Sequence, residues 1–162
     1  NPGGPYGSGK LDEESLRKKS EALNTVGKVC RQKGLRLVYH NHKPEFQGNA
    51  AESEELLRRT DPELVSLLLD QGHAYDAGAD VNAFFKRHHT RIDAIHLRDL
   101  KAGKQVPLGQ GEYDFKTLAA IINETRWPGW LETEEELRTK DFSLADEAVQ
   151  SDRQFIKKMF GT

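Results

Sequence analysis

The sequence holds a single cysteine, Cys30, among 162 residues, so no internal disulfide can form. A reducing compartment, the cytoplasm, is the setting this predicts. There is no basic surplus either: 24 Lys and Arg stand against 26 Asp and Glu, for a net charge of −2. Nothing is available to neutralise a phosphate backbone, and nucleic acid is not an expected partner. No apolar run approaches the roughly 20 residues of a membrane span, so no membrane association is expected. No charged-then-apolar leader opens the chain. The first residues, Asn1–Gly9, are rich in Gly and Pro and read as a loop. With 36% hydrophobic residues and apolar clusters such as Leu64–Leu69, the chain is still apolar enough to fold, and its length suits one domain.

What is present alternates. Leu16, Leu23, Val26 and Cys30 fall at helical spacings, with Asp12 as a cap ahead of Glu13 and Glu14 and Gly34 as the stop signal after Arg31-Gln32-Lys33. Leu35–His40 reads as a strand, Asn41–Asn49 as a loop and Ala50–Arg59 as a helix. Leu64–Asp70 is an almost wholly apolar run of strand length, which suits a parallel strand covered on both faces. Val81–His88 is helical, Ile92–Leu97 a strand, and Lys101–Tyr113 a long loop. Phe115–Glu124 is helical, Trp130–Glu134 a strand, and Leu144–Phe160 a final helix using Leu144, Ala148, Phe155, Ile156 and Met159. A helix followed by four strand–helix units predicts a parallel α/β fold.

Each strand ends in a group capable of chemistry. The first ends at His40, followed by Asn41, His42 and Glu45. The second ends at Asp70, with His73 three residues on. The third ends near His96, with Arg98 and Asp99 behind it, and the fourth carries Glu132 and Glu134 in an acidic run that continues to Glu136. Taken singly, each has an ordinary structural reading: a paired histidine, a turn aspartate, a solvated acidic face. Together they fall at the C-terminal strand ends, where parallel α/β folds build their sites. Converging imidazoles and carboxylates suit one divalent ion, with Mn, Zn, Fe, Co and Mg all open.

Five motifs in order resemble the xylose isomerase-like (β/α)₈ barrels, a superfamily of sugar isomerases and epimerases, inosose dehydratases and apurinic-site endonucleases. They are Leu37-Val38-Tyr39-His40-Asn41-His42-Lys43-Pro44-Glu45-Phe46, Leu69-Asp70-Gln71-Gly72-His73, His96-Leu97-Arg98-Asp99-Leu100, Pro107–Phe115, and Gly129-Trp130-Leu131-Glu132-Thr133-Glu134. The resemblance runs from about Leu11 to the end. It implies a metal held by Asp70, His96 and Glu134, with Glu132 the alternative because residues two apart share a strand face. The first ligand of many members is a glutamate; here His40 stands in its place. Glu134 is then the implied base, and the partner acid is His40, His42 or Glu45. His42, His73, Arg98 and Glu132 are the implied substrate contacts.

The implied function is metal-dependent proton abstraction next to the carbonyl of a small sugar, keto-sugar or cyclitol. Isomerisation or epimerisation is the first expectation, and inosose dehydratase-like elimination the alternative. An endonuclease would need a further Asp-x-His pair after His96, which Lys101–Gly111 does not contain. A non-catalytic carbohydrate-binding relic would be expected to have lost its ligands. Because a (β/α)₈ barrel takes about 250 residues, the expectation is that residues 1–162 form the C-terminal portion of one TIM-barrel domain, with 1–10 a loop and 11–162 a helix and the last four β/α units. Closing the barrel would then need an N-terminal half or a second copy in a homodimer.

Overall fold

A computed structural model describes residues 12–134 and 142–161. The Asn1–Gly9 loop and Glu136 of the acidic run lie outside the described residues. Helix α1 (Glu13–Gln32) starts where Asp12 accepts from the N–H groups of Glu14 and Ser15, which satisfies two of the donors a helix start leaves open. It ends with Lys33 as the cap and Gly34 at φ +70°. Strand β1 (Leu37–His40) follows, then α2 (Lys43–Arg59), β2 (Val65–Asp70), a short α3 (Gln71–Asp76) and α4 (Val81–His88). Strand β3 (Ile92–Leu97), a β4–β5 pair (Asp99–Lys101 and Lys104–Val106), α5 (Phe115–Thr125), β6 (Trp130–Thr133) and α6 (Phe142–Phe160) complete the order.

The main sheet is wholly parallel, in the order β1-β2-β3-β6. This is the run of β/α units that the alternating pattern predicts. One face of the sheet is packed by helices: Leu67, Leu69, Ile95 and Leu97 meet Phe46, Phe84, Phe85 and Leu118 in one core. Burying such side chains contributes about 1.5–3 kcal/mol each. Phe46 and Phe84 meet edge to face, as do Phe85 and Trp127. The Trp127 indole N–H also donates to the Ile92 carbonyl at 2.7 Å, which ties the approach to β6 to the start of β3.

The opposite face carries aligned rows. His40, Leu68, Ala94 and Trp130 are register partners, and so are Asp70, His96 and Glu132. Side chains in register share a face, so the polar row of Asp70, His96 and Glu132 sits at the C-terminal end, above a row that is apolar apart from His40. Val38 is 38% exposed and Trp130 74% exposed on this surface.

Several expectations are corrected. The Lys101–Tyr113 stretch is not plain loop: Ala102 and Gly103, at φ +49° and +72°, turn a two-residue hairpin that pairs β4 with β5. The loop expected through Asn49 already contains the first turn of α2. The helix then breaks at Gln47–Ala50, where Gly48, Asn49 and Ala50 all adopt left-handed conformations, before continuing to Arg59. Helix α3 was not foreseen, because six residues are too few for a periodic signal. Val26, placed on the apolar stripe by spacing, is 49% exposed, while Ser20 and Gly27 are buried. A Cβ on Gly27 would collide with Leu64, so α1 lies too close to that segment for a larger residue. Leu144 is likewise exposed; α6 packs through Phe155, Ile156 and Met159.

Candidate metal centre

Residues from both rows and from just past β6 gather into one cluster. His40, Asp70, His96 and Glu134 each offer a ligand atom, and these atoms all lie within 4.8 Å of one another. His40 ends β1, Asp70 ends β2, His96 lies one residue before the end of β3, and Glu134 follows β6. Neighbouring parallel strands lie about 4.8 Å apart, so side chains at equivalent strand ends converge without any long reach.

Asp70 is fully buried. Its Oδ1 accepts the His73 N–H at 2.8 Å and so caps α3. Its Oδ2 lies 3.3 Å from His40 Nε2, 4.0 Å from His73 Nε2 and 2.9 Å from Arg98 Nε. Burial pushes the Asp70 carboxyl up, but His40, the His73 N–H and the Arg98 charge outweigh it and hold the group below the usual aspartate range. Glu134 shows the same balance: burial raises it, while Arg98 and His96 lower it by more. Its Oε1 lies 2.9 Å from Arg98 Nη2, and its Oε2 lies 2.6 Å from His96 Nδ1 and 3.9 Å from His40 Nε2. Both carboxylates are therefore kept ionised, the form that binds a cation.

The other expected site residues divide. Glu132 reaches the second ring nitrogen of His96, at 3.2 Å. Glu134, and not Glu132, completes the four-residue cluster. His42 and His73 lie at its edge: the His42 ring centroid is 4.9 Å from that of His40 and 5.3 Å from that of His73. Arg98 is 4% exposed and bridges the two carboxylates. Glu45 is not brought into the cluster. Its carboxylate accepts from the Tyr39 hydroxyl at 2.7 Å and the His42 N–H at 3.1 Å, and pairs with Lys19 at 3.2 Å. It closes the start of α2 and ties that helix to α1.

Two supporting residues carry no advance signal beyond their place in the motifs. Asn41 is fully buried, accepts from the Asp70 N–H at 2.9 Å and donates to the Asp70 carbonyl at 3.1 Å, fixing that residue's backbone from both sides. Gln71 accepts the Arg98 N–H at 3.1 Å. The donor set of two imidazoles and two carboxylates is one that first-row divalent ions favour, and the spread of its atoms suits a single ion.

Residues 2–159 match the family model for xylose isomerase-like TIM barrels. The chain belongs to the xylose isomerase-like TIM-barrel family. It is 32% identical to an inosose dehydratase of Bacillus cereus (strain AH820), over 92% of this chain and 56% of that protein. Among solved structures, a sugar phosphate isomerase/epimerase from Parabacteroides distasonis ATCC 8503 superposes with a TM-score of 0.74 at 21% identity, covering 90% of this chain and 53% of that one. The IOLI protein with a bound zinc atom superposes at 0.75 with 17% identity, covering 93% and 58%. The chain thus spans about half the length of the curated relatives it matches. Among the described residues, no helix is long and apolar enough to cross a membrane.

Proposed function

We propose that this chain carries the metal-bearing part of an enzyme that removes a proton next to the carbonyl of a small sugar, keto-sugar or cyclitol. The observation that carries this reading is the convergence of His40, Asp70, His96 and Glu134 at the strand ends. These four would hold one divalent ion; a protein of the same fold, the IOLI protein, has been solved with a bound zinc atom. When bound, the ion would polarise the substrate carbonyl and make the neighbouring C–H more acidic.

The chain's own residues supply the rest. Glu134, kept ionised by Arg98 and His96, accepts the proton. His42 and His73 border the cluster from the β1 and β2 side and offer N–H groups to substrate hydroxyls. With Glu45 engaged by Lys19 and Tyr39, the acid that completes the reaction is an imidazole, His40 or His42. Returning the proton to the opposite face of the same carbon gives an epimer; returning it to the former carbonyl carbon, with a hydroxyl proton moved from one oxygen to the other, gives an isomer. Protonating a hydroxyl on the next carbon expels water instead. That second reading, dehydration, is favoured by one observation: several of the sequence relatives near 30% identity are inosose dehydratases.

The test is incubation of the Mn²⁺-loaded protein with D-fructose and, separately, with an inosose in D₂O. Deuterium uptake at the carbon next to the carbonyl is the expected outcome. Epimer formation selects the first reading, and an elimination product with lost water selects the second. No exchange with either class of substrate, from protein shown to hold about one metal per site, would overturn the proposal.

A further inference from the structure

Arg98 is the group in this cluster that a simple ligand count does not explain. It is almost fully buried, and its guanidinium lies 2.9 Å from Asp70 Oδ2 and 2.9 Å from Glu134 Oε1. These are the two anionic members of the donor set. Its position is built in from several directions. Gln71 accepts its backbone N–H. A Cβ on Gly72 would collide with the Cβ, Cγ and Cδ of Arg98, so α3 can close over the arginine stem only because residue 72 is glycine. Asp70 and Glu134 belong to β2 and the end of β6, with β3 between them, so one cation bridges strands that are not neighbours.

Two ionised carboxylates at close range with no cation between them are costly when removed from water. We propose that Arg98 is a built-in counter-cation: it lets the ligand set form before any metal arrives, and it weakens the hold on a divalent ion so that the ion exchanges. The inference rests on the reading of these four residues as a metal site. Its charge arithmetic is direct: the two carboxylates carry −2, and the guanidinium reduces this to −1. A divalent ion entering beside Arg98 meets a donor set of lower net negative charge and a like-charged neighbour, and both effects lower its affinity.

The test is Mn²⁺ binding, followed by the loss of the free-ion electron paramagnetic resonance signal, in the wild-type chain and in Arg98→Met and Arg98→Lys. Arg98→Met should bind Mn²⁺ on the order of tenfold tighter or more. It should also melt lower than wild type without metal and gain more in Tm when Mn²⁺ is added. Arg98→Lys, which keeps the charge, should return both readouts toward wild type. If Arg98→Met is unfolded without metal but folds when Mn²⁺ is supplied, the ion is replacing the guanidinium, as proposed. Unchanged or weaker Mn²⁺ binding in Arg98→Met, a variant unfolded with and without Mn²⁺, or an Arg98→Lys that behaves like Arg98→Met would overturn the counter-cation role. A wild-type chain that binds no Mn²⁺, Zn²⁺, Fe²⁺ or Co²⁺ would instead overturn the metal site itself.

Discussion

Two buried aspartates near the ends of adjacent strands show how the same side chain becomes part of a scaffold in one place and part of a site in another. Asp99, just beyond β3, is 1% exposed and among the described residues accepts backbone N–H groups: Leu100 at 3.0 Å, Gly109 at 2.9 Å, Gly111 at 2.8 Å and Tyr113 at 3.3 Å. Asp70, at the end of β2, accepts one backbone N–H and turns its other oxygen to His40 and Arg98. Backbone donors cannot leave without unfolding the loop that carries them. Side-chain partners can move aside or be joined by another cation. The first arrangement fixes the Pro107–Tyr113 loop; the second leaves a carboxylate able to take part in binding.

The largest expected effect separates the two regions by activity. Glu134→Gln keeps the size and hydrogen-bonding shape of the side chain but removes the basic oxygen. Turnover should fall by roughly 10³-fold, within the range measured for lost acid–base groups, while Tm stays close to wild type. Steady-state rates alongside a melting curve check this, and near wild-type turnover would strike Glu134 from the mechanism.

The next effect falls on stability. Asp99→Ala leaves a cluster of backbone N–H groups without their acceptor, at about 1–3 kcal/mol for each that stays buried and dry. A loss of about 3 kcal/mol or more is expected in urea unfolding. A loss below about 1 kcal/mol would mean that water takes over the donors and that the scaffold half of the contrast is wrong.

The smallest effect is in pH. Asp70 and Glu134 are both lowered from their ordinary values of 3.8 and 4.5. Groups lowered by folding stabilise the folded state above their unfolded pKa, and that contribution is lost as pH falls through the lower folded value. The metal-free chain should therefore lose stability on acidification below about pH 4.5, and the double variant Asp70→Asn/Glu134→Gln should lose less over the same window. Parallel curves for the two proteins would show that other groups dominate the acid limb.

Much of this was legible in the sequence because the strands are short, apolar and punctuated. Val81–His88 and Ile92–Leu97 have the same bounds in the sequence reading and in the structure. His40, Asp70 and His96 were visible because each interrupts or ends an apolar run, whereas Glu134 was singled out over Glu132 only by the resemblance to the family motif. What stayed hidden depends on contacts through space. Asn41 and Asp70 stand 29 residues apart, and nothing in local spacing shows that one clamps the backbone of the other. Glu45 sits in the same motif as His40, yet its carboxylate turns toward Lys19 of α1, a partner that periodicity does not name. The β4–β5 hairpin was missed because its turn places an alanine, Ala102, at positive φ, where the usual signal is Asn, Asp or Gly.

The two faces of the sheet leave one practical legacy in the two tryptophans of the chain, one beside each face. Trp127 is 8% exposed, with its indole N–H bonded to Ile92, and Trp130 is 74% exposed in the row beneath His96 and Glu132. One fluorophore is therefore dark to anything short of unfolding, and the other looks out over the floor of the cluster. The fold thus comes with its own pair of optical reporters, one for the integrity of the core and one for whatever settles against the inner surface.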